Sequence, residues 1–127
     1  MLDFNEQMKK LKSVKGYLGA AILNKEGETL YLDEEGTNSD IAYSASIFND
    51  AFLEIGESAI DIGFSTANML EARTIDGHVF LVKSIGEENS ANRLTVFSIF
   101  ESGGNVPLAK MVIDRSATKV MAVLSDL

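Results

Sequence analysis

The segment from Asp40 to Ile62 constrains the fold of this chain more than any other. Ser39 is placed to cap a helix that begins at Asp40, and Gly63 to end it. Within that span Ile41, Ala45, Phe48, Phe52, Ile55, Ala59 and Ile62 recur at alternating steps of four and three residues. This is an apolar stripe expected to lie on a sheet. Ser44, Ile47, Ala51 and Ser58 form a second line beside it. Leu53 and Ile60 fall on the far flank, roughly 100° to 120° from Ile41. Only a narrow polar strip remains, made of Tyr43, Ser46, Asp50, Glu54, Glu57 and Asp61. A helix on a sheet needs a single apolar stripe, and this one has more, carried largely by small residues that let another backbone come close. The surplus is either covered by the first or last helix or buried by a second copy. A symmetric dimer, the commonest oligomer, is the expectation.

The rest of the chain supplies a sheet for that helix. Leu2 to Lys12 reads as a short helix with Phe4, Met8 and Leu11 on one side, lysines near its end and Gly16 as its stop. Tyr17 to Asn24 is a strand apolar on both faces, hence central. The turn Lys25-Glu26-Gly27 leads to a second strand, Glu28 to Asp33, in which Leu30 and Leu32 alternate with Thr29 and Tyr31. After the long helix come a weaker strand over Phe64 to Ile75, a hairpin turn at Asp76-Gly77, a strand from His78 to Ile85 and a polar loop from Gly86 to Asn92. A strand apolar on both faces spans Arg93 to Glu101, and Gly103-Gly104 forms a flexible turn. A final helix starts near Pro107, its inner stripe Ala109, Val112, Ile113, Ser116, Val120, Val123 and Leu127. The order is α-β-β-α-β-β-β-α. Short connections without a repeated βαβ unit predict an α+β fold with an antiparallel sheet and helices on its faces.

Composition narrows what such a domain can do. With 127 residues, 46% hydrophobic and 24% charged, the chain reads as one domain over 1–127, long enough to bury roughly two-thirds of its unfolded surface. It lacks cysteine, which removes disulfides, thiol nucleophiles and cysteine-ligated metal. Neither a signal-peptide core nor a membrane-spanning apolar run is visible, and the expected location is cytoplasmic. The net charge of −8 disfavours nucleic acid and anionic membranes, both of which need a basic face. No lysine or arginine occurs between Glu26 and Ala72, a window holding eleven acids. Asp50, Glu54, Glu57 and Asp61 follow helical spacing along one ridge, which either solvates the helix or steers a basic partner.

Catalytic and cofactor chemistry leaves no trace. His78 is the one histidine, and metal sites need clustered ligands. Glu34-Glu35 and Glu87-Glu88 are loop pairs with nothing nearby to shift their pKa values. No Ser/His/Asp arrangement assembles, Gly16 and Gly19 open a strand rather than a helix, and no phosphate-binding loop occurs. No catalytic residue, cofactor or metal is expected.

The opening Val14-Lys15-Gly16-Tyr17-Leu18-Gly19-Ala20-Ala21-Ile22-Leu23-Asn24-Lys25-Glu26-Gly27 resembles the first strand and turn of roadblock/dynein-light-chain (longin-like) domains. The long small-residue helix, the Asp76-Gly77 hairpin, the strand Leu94 to Phe100 and the turn into a last helix at Asn105 follow in the order of that family, over about Leu2 to Leu124. The resemblance implies a five-stranded antiparallel sheet with the long helix on one face and the terminal helices on the other. It implies dimerisation through the long helix and the strand after it, so Ser44, Ile47, Ala51, Leu53, Ser58, Ile60, Met69, Leu70 and Glu71 are the expected interface residues. It further implies a non-enzymatic scaffold or regulator of a small Ras-like GTPase, with Asp50, Glu54, Glu57 and Asp61 facing the partner. A light-chain-type subunit of a larger assembly is the second reading. A small-molecule sensor is the third, and it needs a cavity that Phe48, Phe52, Phe97 and Phe100 look large enough to fill. Arg73, Arg93 and Arg115 are the only arginines and none lies on the long helix, so a regulator of this kind is expected to reshape a GTPase rather than donate an arginine.

Overall fold

The computed structural model describes residues 3–87 and 91–125. Leu2, Glu88 and Leu127, singled out above, lie outside them. The elements are α1 (Asn5–Lys12), β1 (Tyr17–Leu23), β2 (Thr29–Asp33), α2 (Ile41–Asp61), β3 (Met69–Arg73), β4 (Val79–Ile85), β5 (Leu94–Phe100) and α3 (Val106–Ser125). This is the expected α-β-β-α-β-β-β-α order of an α+β fold. The strands form one sheet in the order β2-β1-β5-β4-β3, antiparallel throughout. The two strands expected to be apolar on both faces, β1 and β5, lie at its centre, and every residue of β5 is buried.

Strand alternation sends the sheet's side chains into two cores. On one face Ala20, Ile22, Val79, Leu81, Val96 and Phe100 meet Phe4, Met8 and Leu11 of the α1 region and Ala109, Ile113 and Val120 of α3. On the other, Ala21, Leu23, Val82, Phe97 and Ile99 meet Ile41, Ala45 and Phe52 of α2. The four phenylalanines expected to point inward divide between the two cores, with Phe48, Phe52 and Phe97 on the α2 side. Phe100 points to the α1/α3 face, because it is in phase with Leu94 and Val96.

Local rules set the element ends, with small departures from expectation. Asp40, not Ser39, caps α2: its carboxylate accepts the Tyr43 backbone N–H at 3.0 Å. Glu34 reaches across to accept the Ile41 N–H at 2.8 Å. At the other end Gly63 takes a left-handed φ of +96° and donates to the Ile60 carbonyl, while Phe64 donates to that of Ala59. This Schellman closure ends the helix. It also holds Phe64 outside any strand, so β3 is confined to Met69–Arg73 rather than the expected Phe64 to Ile75. In β2 a bulge places Leu30 beside Tyr31, since Ile22 pairs with Tyr31 and Leu23 with Thr29. Both side chains pack on the α1/α3 core, and the simple alternation expected for Leu30 and Leu32 is lost. Asp33 ends β2 buried, accepting the Tyr17 hydroxyl at 2.5 Å with the Lys12 ammonium 3.8 Å away.

Candidate interaction surface

The inward line of α2 is Ile41, Ala45, Asn49, Phe52 and Gly56. Ile55 and Ile62, expected on the sheet, are 44% and 74% exposed. A strict alternation of four and three has a period of 3.5 residues. A straight helix turns once per 3.6, so such a stripe drifts about 20° per heptad. Over the length of α2 the drift lifts Ile62 off the sheet and brings Asn49 and Gly56 onto it. Gly56 is small for a reason, since a Cβ there would collide with the Thr66 hydroxyl.

The contacts of two neighbouring residues orient the helix. The ring of Phe48 stacks on Phe80 of β4 with centroids 4.8 Å apart, and lies 5.3 Å from Phe97. Asn49 faces the other way, lining a cavity of about 100 Å³ with Asn24 and Lys25 of the β1–β2 turn and Thr95 of β5. The flank just past Phe48 therefore leans toward β4 and β3. It carries Ser44, half-buried, and Ile47, Ala51, Ile55, Ser58 and Ile62, all exposed. Their spacing of three and four keeps them on one side of the helix.

Among the described residues no other element covers this flank. The terminal helices lie on the opposite face of the sheet and pack on each other, so the alternative in which one of them shields α2 fails. Large apolar side chains are left in water along the helix and the turn after it: Ile47 48%, Leu53 49%, Ile60 52% and Phe64 71% exposed. Leu53 and Ile60 stand across the acidic ridge from Ile47, Ala51 and Ser58, since a step of 100° per residue separates the two lines. The interface residues expected on the helix thus form two lines rather than one patch.

On the side toward which this flank leans, β3 is the last strand of the sheet, paired only with β4. Its three expected interface residues divide by face. Leu70 packs partly into the α2 core, while Met69 borders Lys110 and Ile113 on the α3 side. Glu71 is taken by Lys110 at 2.5 Å and Arg73 at 3.6 Å. What β3 offers a second chain is its open backbone edge, which can accept another strand.

Asp50, Glu54, Glu57 and Asp61 are exposed along α2. Three of them, Glu54, Glu57 and Asp61, border an open depression of about 500 Å³ together with Ala51, Ile55 and Ser58. Asp61 is the last residue of α2, and the final turn holds no base. Carboxylates there face the negative end of the helix dipole, a local cost of about 0.3–1 kcal/mol each that a cation would relieve. His78, the lone histidine, belongs to the β3–β4 turn. Its Nδ1 is 3.1 Å from Asp76, whose carboxyl is held below its usual range by the Thr74 hydroxyl and then by His78. Among the described residues no three potential metal ligands converge, and no helix is long and apolar enough to cross a membrane.

This arrangement is a roadblock/longin-like fold. No protein-family model and no curated protein matches the chain, whereas solved structures match it over nearly its whole length. It is similar to MglB of Myxococcus xanthus, with a TM-score of 0.79 at 15% identity over 98% of this chain and 96% of that one. It is equally similar to a Roadblock/LC7 domain from Streptomyces avermitilis, with a TM-score of 0.79 at 13% identity over 97% and 98%. An MglB with a tetrameric arrangement follows at 0.78 and 13%, covering 95% and 87%. At these identities the likeness is one of fold.

Proposed function

We propose that this protein is a homodimeric, non-enzymatic binding module that scaffolds or regulates a small Ras-like GTPase. One observation carries the reading: α2 leaves an apolar, small-residue flank in water on the side of the sheet that ends in the open edge of β3. Pairing α2 with α2 and β3 with β3 across a two-fold axis would bury both features at once, and isologous pairing needs no second kind of surface. The tetrameric arrangement of a solved MglB supports self-association for this fold. The partner class comes from the roadblock resemblance, and the acidic ridge beside the seam supplies a surface for a basic patch on that partner.

Solution mass by size-exclusion chromatography with light scattering tests the first half. A dimer is expected, and a monomer at tens of micromolar would overturn it. Capture of GTPases from lysate loaded with GTP or GDP tests the second half. Stoichiometric recovery of a partner that is not a GTPase would instead favour the light-chain-type subunit.

A further inference from the structure

A cluster of cations lies on the α1/α3 face, which the proposed function does not use. Several are already spoken for: Lys12 lies near Asp33, Lys83 near Asp114 and Lys110 on Glu71. Lys9 and Lys10 of α1 and Arg115 and Lys119 of α3 have no ion pair among the described residues. These four line one groove of about 250 Å³ between the two helices. In a chain of net charge −8, four unpaired cations around one concavity stand against the overall balance.

The groove is shaped as well as charged. Val112 and Ser116 line it on the α3 side and Gln7 on the α1 side. The Gln7 Oε1 atom itself is buried beneath the groove, so the groove's recognition rests on its cations. A single carboxylate, Glu6, borders it. Cations from two facing walls converge on an elongated ligand that enters between them, whereas a flat anionic surface would meet only the rims.

We infer that the α1–α3 groove docks an acidic peptide segment of a partner protein, with Lys9, Lys10, Arg115 and Lys119 pairing its carboxylates. The complementarity is electrostatic, so the contact is salt-sensitive and fast to form. Because α2 lies on the other face of the sheet, the groove stays open in the proposed dimer. The protein would then bridge two partners, one at each face. This inference stands without the GTPase reading, and either can fail alone.

The probe is a short fluorescein-labelled peptide of glutamate and leucine, followed by fluorescence anisotropy with the full chain. Binding is expected to weaken at least about tenfold between about 0.05 and 0.3 M salt. The double variant R115E/K119E is expected to lose about tenfold or more, and K25E on the α2 side to bind like the wild type. Circular dichroism melts confirm folding, and K9Q/K10Q on α1 gives a second route should the first variant unfold. Four results would overturn the proposal: no binding by the wild type, equal binding of a glutamine-for-glutamate peptide, binding untouched by both groove variants, or capture by phosphatidylserine vesicles without peptide binding. Salt-reversible self-association abolished by R115E/K119E would assign the groove to a second copy instead.

Discussion

Tyr17 shows how a single residue ties β1 to the edge of the sheet. Its hydroxyl donates to the buried Asp33 carboxylate at 2.5 Å, and burial, then that hydrogen bond, push its pKa above the ordinary 10.0. Tyr31 is raised to about 12, by burial first and then by the charges of Asp33 and Glu35. In both cases the folded state holds the phenol proton more tightly than the unfolded chain. The stability they contribute is therefore complete below pH 10.0, the unfolded value, and drains away as pH rises toward 12 and beyond. Tyr17→Phe is expected to cost about 1–3 kcal/mol, because it takes the hydroxyl donor from Oδ2 of a buried carboxylate and leaves it the Glu35 N–H on Oδ1 and the more distant Lys12. The variant should also lose stability less steeply above pH 10. Urea denaturation on either side of that pH checks both effects, and an unchanged slope would show that Tyr17 does not titrate differently on folding.

At the scale of the element, α2 is amphipathic to excess. Its sheet side is complete with Ile41, Ala45, Phe52 and Gly56, so the exposed flank adds nothing to the monomer. Ala51→Glu places a charge on that flank without touching the core. The expected result is a dimer converted to a monomer with an unaltered circular dichroism spectrum, read by light scattering. The C-terminal turn of the same helix trades stability against recognition. Asp61→Lys should stabilise the fold by about 0.3–1 kcal/mol at low salt through the helix dipole, an increment that fades as salt screens it. The same change should weaken capture of a basic partner. A variant that is more stable and binds equally well would take the acidic ridge out of the partner surface.

The whole molecule is electrically two-faced. Acidic α2 covers one side of the sheet and the lysine-bearing α1 and α3 the other. This arrangement bears on any effect on GTP hydrolysis. Arg73 pairs with Glu71, Arg93 bonds Ser84, and Arg115 lies on the α1–α3 face. None is presented by α2. Replacing each arginine with alanine should leave stimulated hydrolysis within about threefold, whereas loss of an inserted arginine costs about 10³-fold or more. A collapse of that size with binding retained would show that an arginine is donated after all.

Much of this protein could be read along the chain because local rules control it. Glycines and capping side chains set the turns. Apolar residues on both faces marked β1 and β5 as central. The acidic ridge followed from spacing alone. The α2 stripe was legible only in part, since the steps of four and three hid a drift that leaves Ile55 and Ile62 exposed and turns Asn49 and Gly56 inward. Packing decided the rest. Phe64 is kept out of β3 by the closure at Gly63, and Glu71 is taken by Lys110. Leu53 and Ile60 are separated from the Ile47 flank by the acidic ridge. The groove of unpaired cations joins residues about a hundred positions apart, and no pattern within either helix announces it. Spacing along a chain reports the period of an element, but which faces meet, and which stay open, depends on contacts between residues distant in sequence.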